Sequence, residues 1–162
     1  MNGMSETIFS PDKQCNRAML VSILYRLEGA GKMDYSPVFK DVPANTWYTD
    51  GVLWAEQNGI VNGLGNNRFG PDDPLTREQF ATIMMRYVAF KGIQTDNRAE
   101  LSSFPDASKV SNYAKDAMRW AVAEGLINGK AAGNISYLQP QGNATRAECA
   151  MILMRLCELY DY

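Results

Sequence analysis

The stretch "NGLGNNRFGPDDPLTREQFATIMMRY", residues 62–87, runs from a turn-rich loop into an amphipathic helix. Its first half is crowded with Gly, Asn, Asp and Pro, the residues that preset or tolerate turns. Thr76 is the predicted N-cap, which puts Arg77 at the first helical position. Phe80, Ile83, Met84 and Tyr87 then recur at helical spacing and give the helix one apolar face.

The same pattern occurs three times. Gly3, Phe9, Pro11, Asp12, Arg17, Ile23 and Arg26 fall on identical residues 60 positions later, at Gly63, Phe69, Pro71, Asp72, Arg77, Ile83 and Arg86. A shift of 69 carries Pro71, Thr76, Arg77, Ala81, Ile83 and Arg86 onto Pro140, Thr145, Arg146, Ala150, Ile152 and Arg155. Upstream, Phe39 and Asp41 match Phe104 and Asp106 at a shift of 65. Val52, Trp54, Ala55, Gly59 and Gly63 match Met118, Trp120, Ala121, Gly125 and Gly129 at a shift of 66. The third unit carries three more residues than the second in the loop after Gly129.

A fixed period of this kind is the mark of a repeat architecture. Each full unit reads Phe-x-Asp, an aromatic, a short helix ending in Gly, a loop and a longer helix. In the second unit the short helix is predicted from about Trp47 to Asn58, with Gly59 as its left-handed stop. The divisions are a second half-unit at 1–29, a connector at 30–38, a full unit at 39–88, a linker at 89–103 and a full unit at 104–162. The expected fold is all-α: helix-loop-helix repeats in a pseudo-threefold arrangement around a central helix bundle, the first repeat incomplete.

The totals remove several functions. Sixteen basic against eighteen acidic side chains leave a net charge of −2, which argues against nucleic acid, since phosphates require a basic face. The most apolar run, Ala18 to Leu24, is interrupted by Ser22 and flanked by Arg17 and Arg26, so no membrane insertion is expected. "MNGMSETIFSP" has neither the basic start nor the apolar stretch of an export signal.

With no histidine, a Ser-His or Cys-His pair is excluded and no metal centre or cofactor is expected. The "PDDP" of residues 71–74 lacks the spaced acidic ladder of a calcium loop. Cys15, Cys149 and Cys157 fall among apolar helical positions and read as core. Carboxylate catalysis on a glycan is the enzyme reading to set aside, because no acidic pair is marked as catalytic.

The long composite motif resembles the S-layer homology family. "FKDVPANTWYTDGVLWAEQNGIVNGLGNNRFGPDDPLTREQFATIMMRY" follows that family's pattern of Phe-x-Asp-Val, Trp, Ala-x-x-x-Gly-Ile, Gly, Phe-x-Pro and Thr-Arg. The third unit, from "FPDASKVSNYAKDAMRWAVAEGLINGK" to "LQPQGNATRAECAMILMRL", carries the Thr-Arg-Ala-Glu form. The resemblance implies a non-catalytic module of the cell exterior. Its partner would be an anionic secondary cell-wall polysaccharide, often capped by a pyruvate ketal, held in grooves between repeats.

It also implies the contacts. Arg77 and Arg146 would meet the carboxylate, for which a guanidinium is a planar bidentate donor beside the free N–H groups of a helix start. Trp47 and Tyr113 would offer flat faces to sugar rings. Thr76, Thr145, Gly63, Gly129, Asp41 and Asp106 complete the motif positions. Arg17 is the weakest match, because "CNRAM" lacks both the Thr and the Glu.

On the residues alone, an ion pair to Asp41 or Asp106 is the competing role for the arginines, and packing beneath the groove the competing role for Trp47. Asp41 and Asp106 themselves read better as turn formers than as sugar contacts. The incomplete first unit raises one alternative function: an assembly module, completed by self-association or by another chain covering the first long helix.

Overall fold

The computed structural model describes residues 9–160. Gly3 and the rest of the first unit's leading segment therefore lie outside the described residues. Five helices follow in order: α1 (Arg17–Leu27), α2 (Thr49–Gln57), α3 (Arg77–Phe90), α4 (Lys115–Ala123) and α5 (Arg146–Tyr160). Two short 3-10 turns, Ala107–Lys109 and Asn112–Ala114, lead into α4.

One departure from the all-helical expectation is a hairpin of β1 (Lys130–Ala132) and β2 (Ile135–Tyr137), paired antiparallel with Ala131 opposite Ser136. It occupies the loop after Gly129 where the third unit carries its extra residues. Gly133, at φ +63°, sits in its two-residue turn, where a primed turn wants positive φ.

The long helices begin where the caps place them. Asn16, Thr76 and Thr145 accept from the backbone N–H three residues on, of Met19, Gln79 and Glu148. In α3 and α5 the box is reciprocal, with Gln79 and Glu148 accepting from the N–H of Thr76 and Thr145.

Each short helix lies on the long helix before it, α2 on α1 and α4 on α3. On α1, Gly51 crosses Ser22 so closely that an added Cβ would stand 3.1 Å from its Cα, and Trp54 meets Tyr25 edge-on. Trp54 and Trp120 are both buried. A single apolar core takes side chains from all three units, including Leu24, Phe69, Tyr87, Trp120 and Leu156. At the far ends of the long helices, Glu28 accepts from the Tyr87 hydroxyl and from Lys91 Nζ at 2.9 Å.

The repeated Phe and Gly now have a shared reason. A Cβ on Gly63 would stand 2.8 Å from the Phe39 ring, and one on Gly129 would stand 2.9 Å from Phe104. The aromatic that opens each full unit thus packs closely against the glycine that follows its short helix.

Candidate ligand-binding site

The segments preceding α1, α3 and α5 close a ring of three hydrogen bonds. Cys15 N–H donates to the Ala144 carbonyl at 2.9 Å, Ala144 N–H to Leu75 at 2.8 Å, and Leu75 N–H to Cys15 at 2.9 Å. Each long helix thus starts against the loop of the next unit. Arg17 and Ala18 N–H donate to Asp73 and Pro71, Arg77 and Glu78 N–H to Gly142 and Pro140, and Arg146 and Ala147 N–H to Lys13 and Pro11.

This corrects one step of the sequence argument. The first N–H groups of each helix were expected to be open to an anion. Instead, neighbouring carbonyls take two of them and the cap takes the next, which is how buried backbone donors are normally satisfied.

The three arginines make the same junctions with their side chains. Arg17 Nε donates to the Phe69 carbonyl at 2.8 Å, Arg77 Nε to Leu138 at 2.8 Å, and Arg146 Nε to Phe9 at 3.0 Å. All three are buried, and Arg17 and Arg146 stack over the rings of Phe69 and Phe9. Burial lowers the pKa of Arg17 and Arg77, with nearby acids pulling the other way.

Asp41 and Asp106 bond to backbone and not to these arginines. Asp41 accepts from Phe69 and Gly70 N–H, both at 2.8 Å, and Asp106 from Leu138 and Gln139 N–H at 2.9 and 2.8 Å. Burial pushes the Asp41 carboxyl up, but the backbone donors and Arg68 bring it below its ordinary value. Each Asp holds the carbonyl that the preceding unit's arginine binds. The Thr76 and Thr145 hydroxyls are likewise engaged as caps.

A cavity of about 320 Å³ opens at the corner headed by Arg17. Its apolar lining is Val61, Leu64 and Ile83, and its polar lining includes Asn62, Gln79, Arg86 and Tyr113. It draws on three units at once, and Gly63 also lines it. Arg17 spends Nε on Phe69 and Nη2 on the Asn62 carbonyl at 3.1 Å, which leaves Nη1 without a bonded partner among the described residues. Arg86 makes no hydrogen bond or ion pair with a described residue.

Tyr113 stands at the rim with its ring 56% exposed, the same exposure as Trp47 at the matching position of the second unit. The Tyr113 hydroxyl donates to Glu78 at 3.2 Å, and burial, with Glu78 beside it, pushes its pKa up to about 12. Trp47 packs edge-on against Tyr48 and does not line this cavity.

Arg86 was missed as a site residue in the sequence, although its recurrence with Arg26 and Arg155 was visible. Arg155 turns its Nη1 to the Gly125 and Leu126 carbonyls, a contact that Arg86 does not make.

The Arg77 corner differs. Arg77 Nη1 lies 3.5 Å from Glu148, whose same oxygen is 2.6 Å from Lys130 Nζ, while the other oxygen accepts from Thr145 N–H at 3.0 Å. Burial pushes the Glu148 carboxyl up, but Lys130, the Thr145 N–H and Arg77 outweigh it and bring the pKa below the ordinary range. Arg146 has the Met19 sulfur 3.9 Å from its Nη1. Among the described residues no cluster of acids or cysteines could hold a metal ion, and no helix is long and apolar enough to cross a membrane.

Repeated short and long helices, with a buried arginine locking each junction between units, define a helical repeat module. The S-layer homology domain model matches residues 38–81 and 103–150, and the chain belongs to that family.

Relatives include an amylopullulanase of Thermoanaerobacterium thermosulfurigenes, 32% identical over 98% of this chain and 8% of that protein. A surface-layer 125 kDa protein of Lysinibacillus sphaericus is 33% identical over 94% of this chain and 12% of its own length. A cellulosome-anchoring protein of Acetivibrio thermocellus is 25% identical over 98% and 35%. The chain thus spans a minor part of each of these relatives, one an enzyme, one a surface-layer protein and one an anchoring protein by name.

Proposed function

We propose that the chain anchors its bearer by holding an anionic cell-wall polysaccharide, in the sharpest form a pyruvylated one, in the corners between its units. The observation that carries this is the Arg17 cavity. Arg86, a cation with no counter-ion among the described residues, lines this cavity together with apolar side chains and an exposed aromatic ring, in a volume at the lower end of small-ligand sites. Tyr113 offers a face to a sugar and Arg86 a fork to its carboxylate. Arg77 and Arg146, with Trp47, head the two related corners. The cyclic hydrogen bonds support a pseudo-threefold arrangement of the units 1–29, 39–88 and 104–162.

The test is co-sedimentation of the whole chain with cell walls before and after extraction of their secondary polymer. Retention should depend on the polymer and fall on Arg86→Gln. Equal retention by stripped walls would sink the reading.

A second reading, assembly with another chain, is favoured by one observation, although it falls on α5 and not on the first long helix as expected, because α2 packs on α1. Met151, Met154 and Leu159 on α5 are 41%, 54% and 46% exposed. Met151 corresponds to Ser22 and Thr82, which are buried under α2 and α4. Among the described residues no helix covers α5 in that way. The occupant this face fits is a short helix of the α2 and α4 kind, with the small-x-x-Trp-Ala pattern of Gly51–Ala55 and Ala117–Ala121. Light scattering decides: concentration-dependent association lost in Met154→Lys supports it, and a monomer at high concentration removes it.

A further inference from the structure

One position distinguishes the three corners. Met19, Gln79 and Glu148 are equivalents at shifts of 60 and 69, each in the first turn of its long helix. Each faces the arginine of the preceding unit: Met19 lies against Arg146, Gln79 lines the cavity of Arg17, and Glu148 pairs with Arg77. Resting on the polysaccharide reading above, we propose that this residue decides which corner accepts an external carboxylate. Gln79 leaves the Arg17 corner open to an acidic sugar, whereas Glu148 fills the Arg77 corner with the protein's own carboxylate.

The geometry of the two corners carries the argument. No carboxylate lines the Arg17 cavity, and the acids nearest Arg17, Asp73 and Asp41, lie outside its lining. The Gln79 carbonyl oxygen is turned to Thr76 N–H at 3.2 Å. In the Arg77 corner Glu148 already holds both cations within reach, Arg77 at 3.5 Å and Lys130 at 2.6 Å. A carboxylate-bearing sugar brought there would meet a like charge on nearly the same donors, and like charges at close range disfavour joint ionisation. The third corner presents a thioether, Met19, to Arg146 at the same position.

The two side chains fill the same capping role, which makes the idea testable. Gln79 and Glu148 close the same reciprocal cap with Thr76 and Thr145. Gln79→Glu and Glu148→Gln each therefore install a residue that the other unit already accommodates.

The experiment measures retention of the whole chain on polymer-bearing walls, on the same walls with carboxyl groups blocked as methylamides, and on stripped walls. Circular dichroism and melting of each variant accompany it. Gln79→Glu should lower retention on native walls on the order of tenfold, and Glu148→Gln should bind at least as well as the parent chain. Carboxyl blocking should abolish the difference between the parent and Gln79→Glu.

Unchanged retention of a folded Gln79→Glu, or a Glu148→Gln that weakens as much, overturns the inference and leaves the polysaccharide reading standing. A parent chain that does not distinguish native from stripped walls overturns the reading itself, and the inference with it.

Discussion

The corners at Arg17 and Arg77 are built from the same parts and end with opposite electrostatics. Both arginines lie at the first position of a long helix, both donate Nε to a loop carbonyl of the next unit, and both are buried. At Arg17 the remaining guanidinium edge faces a cavity also lined by Arg86, which has no bonded partner among the described residues. At Arg77 it faces Glu148. The repeated arginine is therefore first a joint between units. Binding is a property of what surrounds the joint, which one substitution in a neighbouring helix can change.

The largest effect should come from removing the joint itself. Arg17→Met strands the buried Phe69 carbonyl and also loses the part-buried bond to Asn62. It should cost about 3 kcal/mol, since a buried acceptor left unmade costs roughly 1–3 kcal/mol and the second bond adds to it. Arg77→Met strands only the Leu138 carbonyl and leaves Glu148 its contact with Lys130, so about 2 kcal/mol is expected. Urea unfolding checks both. If neither loss exceeds that of an exposed substitution such as Arg26→Met, the arginines are not structural joints.

A smaller effect separates the aromatics. Tyr113 lines the Arg17 cavity and Trp47 does not, although both are equally exposed. Tyr113→Ala should weaken wall retention several-fold, corresponding to about 1 kcal/mol for a lost ring contact. Trp47→Ala should stay near the parent value. Equal losses would mean that the Trp47 corner binds as strongly, and would remove the asymmetry between corners.

What was legible in the sequence was local. Thr76 as cap, Arg77 at the first helical position and the apolar face of Phe80, Ile83, Met84 and Tyr87 all follow from neighbours within a turn or two, and α3 begins where they place it. Trp54 and Trp120 read as core for the same reason.

What could not be read was every contact made across units. Arg17 bonds a carbonyl 52 residues away and Arg77 one 61 residues away, and a carbonyl has no residue identity for a pattern to reveal. Weighing Asp41 and Asp106 as ion-pair partners was natural, because acids are visible in a sequence and backbone acceptors are not. The two strands of the hairpin, three residues each, were too short to show a period. Arg86 recurred plainly with Arg26 and Arg155, but recurrence alone did not say which copy would lack a partner.

The smallest predicted effect tests whether Glu148 behaves as an internal counter-ion. Its folded carboxyl lies below the ordinary value of 4.5, so its contribution is complete above that pH and is lost as pH falls through the folded value. Because the side chain is partly open to solvent, the contribution should stay below about 1 kcal/mol. Glu148→Gln should therefore melt slightly earlier than the parent at neutral pH, with the gap closing as the pH drops below the ordinary carboxylate range. Gln79→Glu should open no comparable gain at neutral pH on the stability side, since no second cation corresponding to Lys130 pairs with Gln79 in that corner. A gap in Glu148→Gln that persists unchanged into acid would show that the pair with Arg77 is not ionic, and that the corner is closed by shape alone.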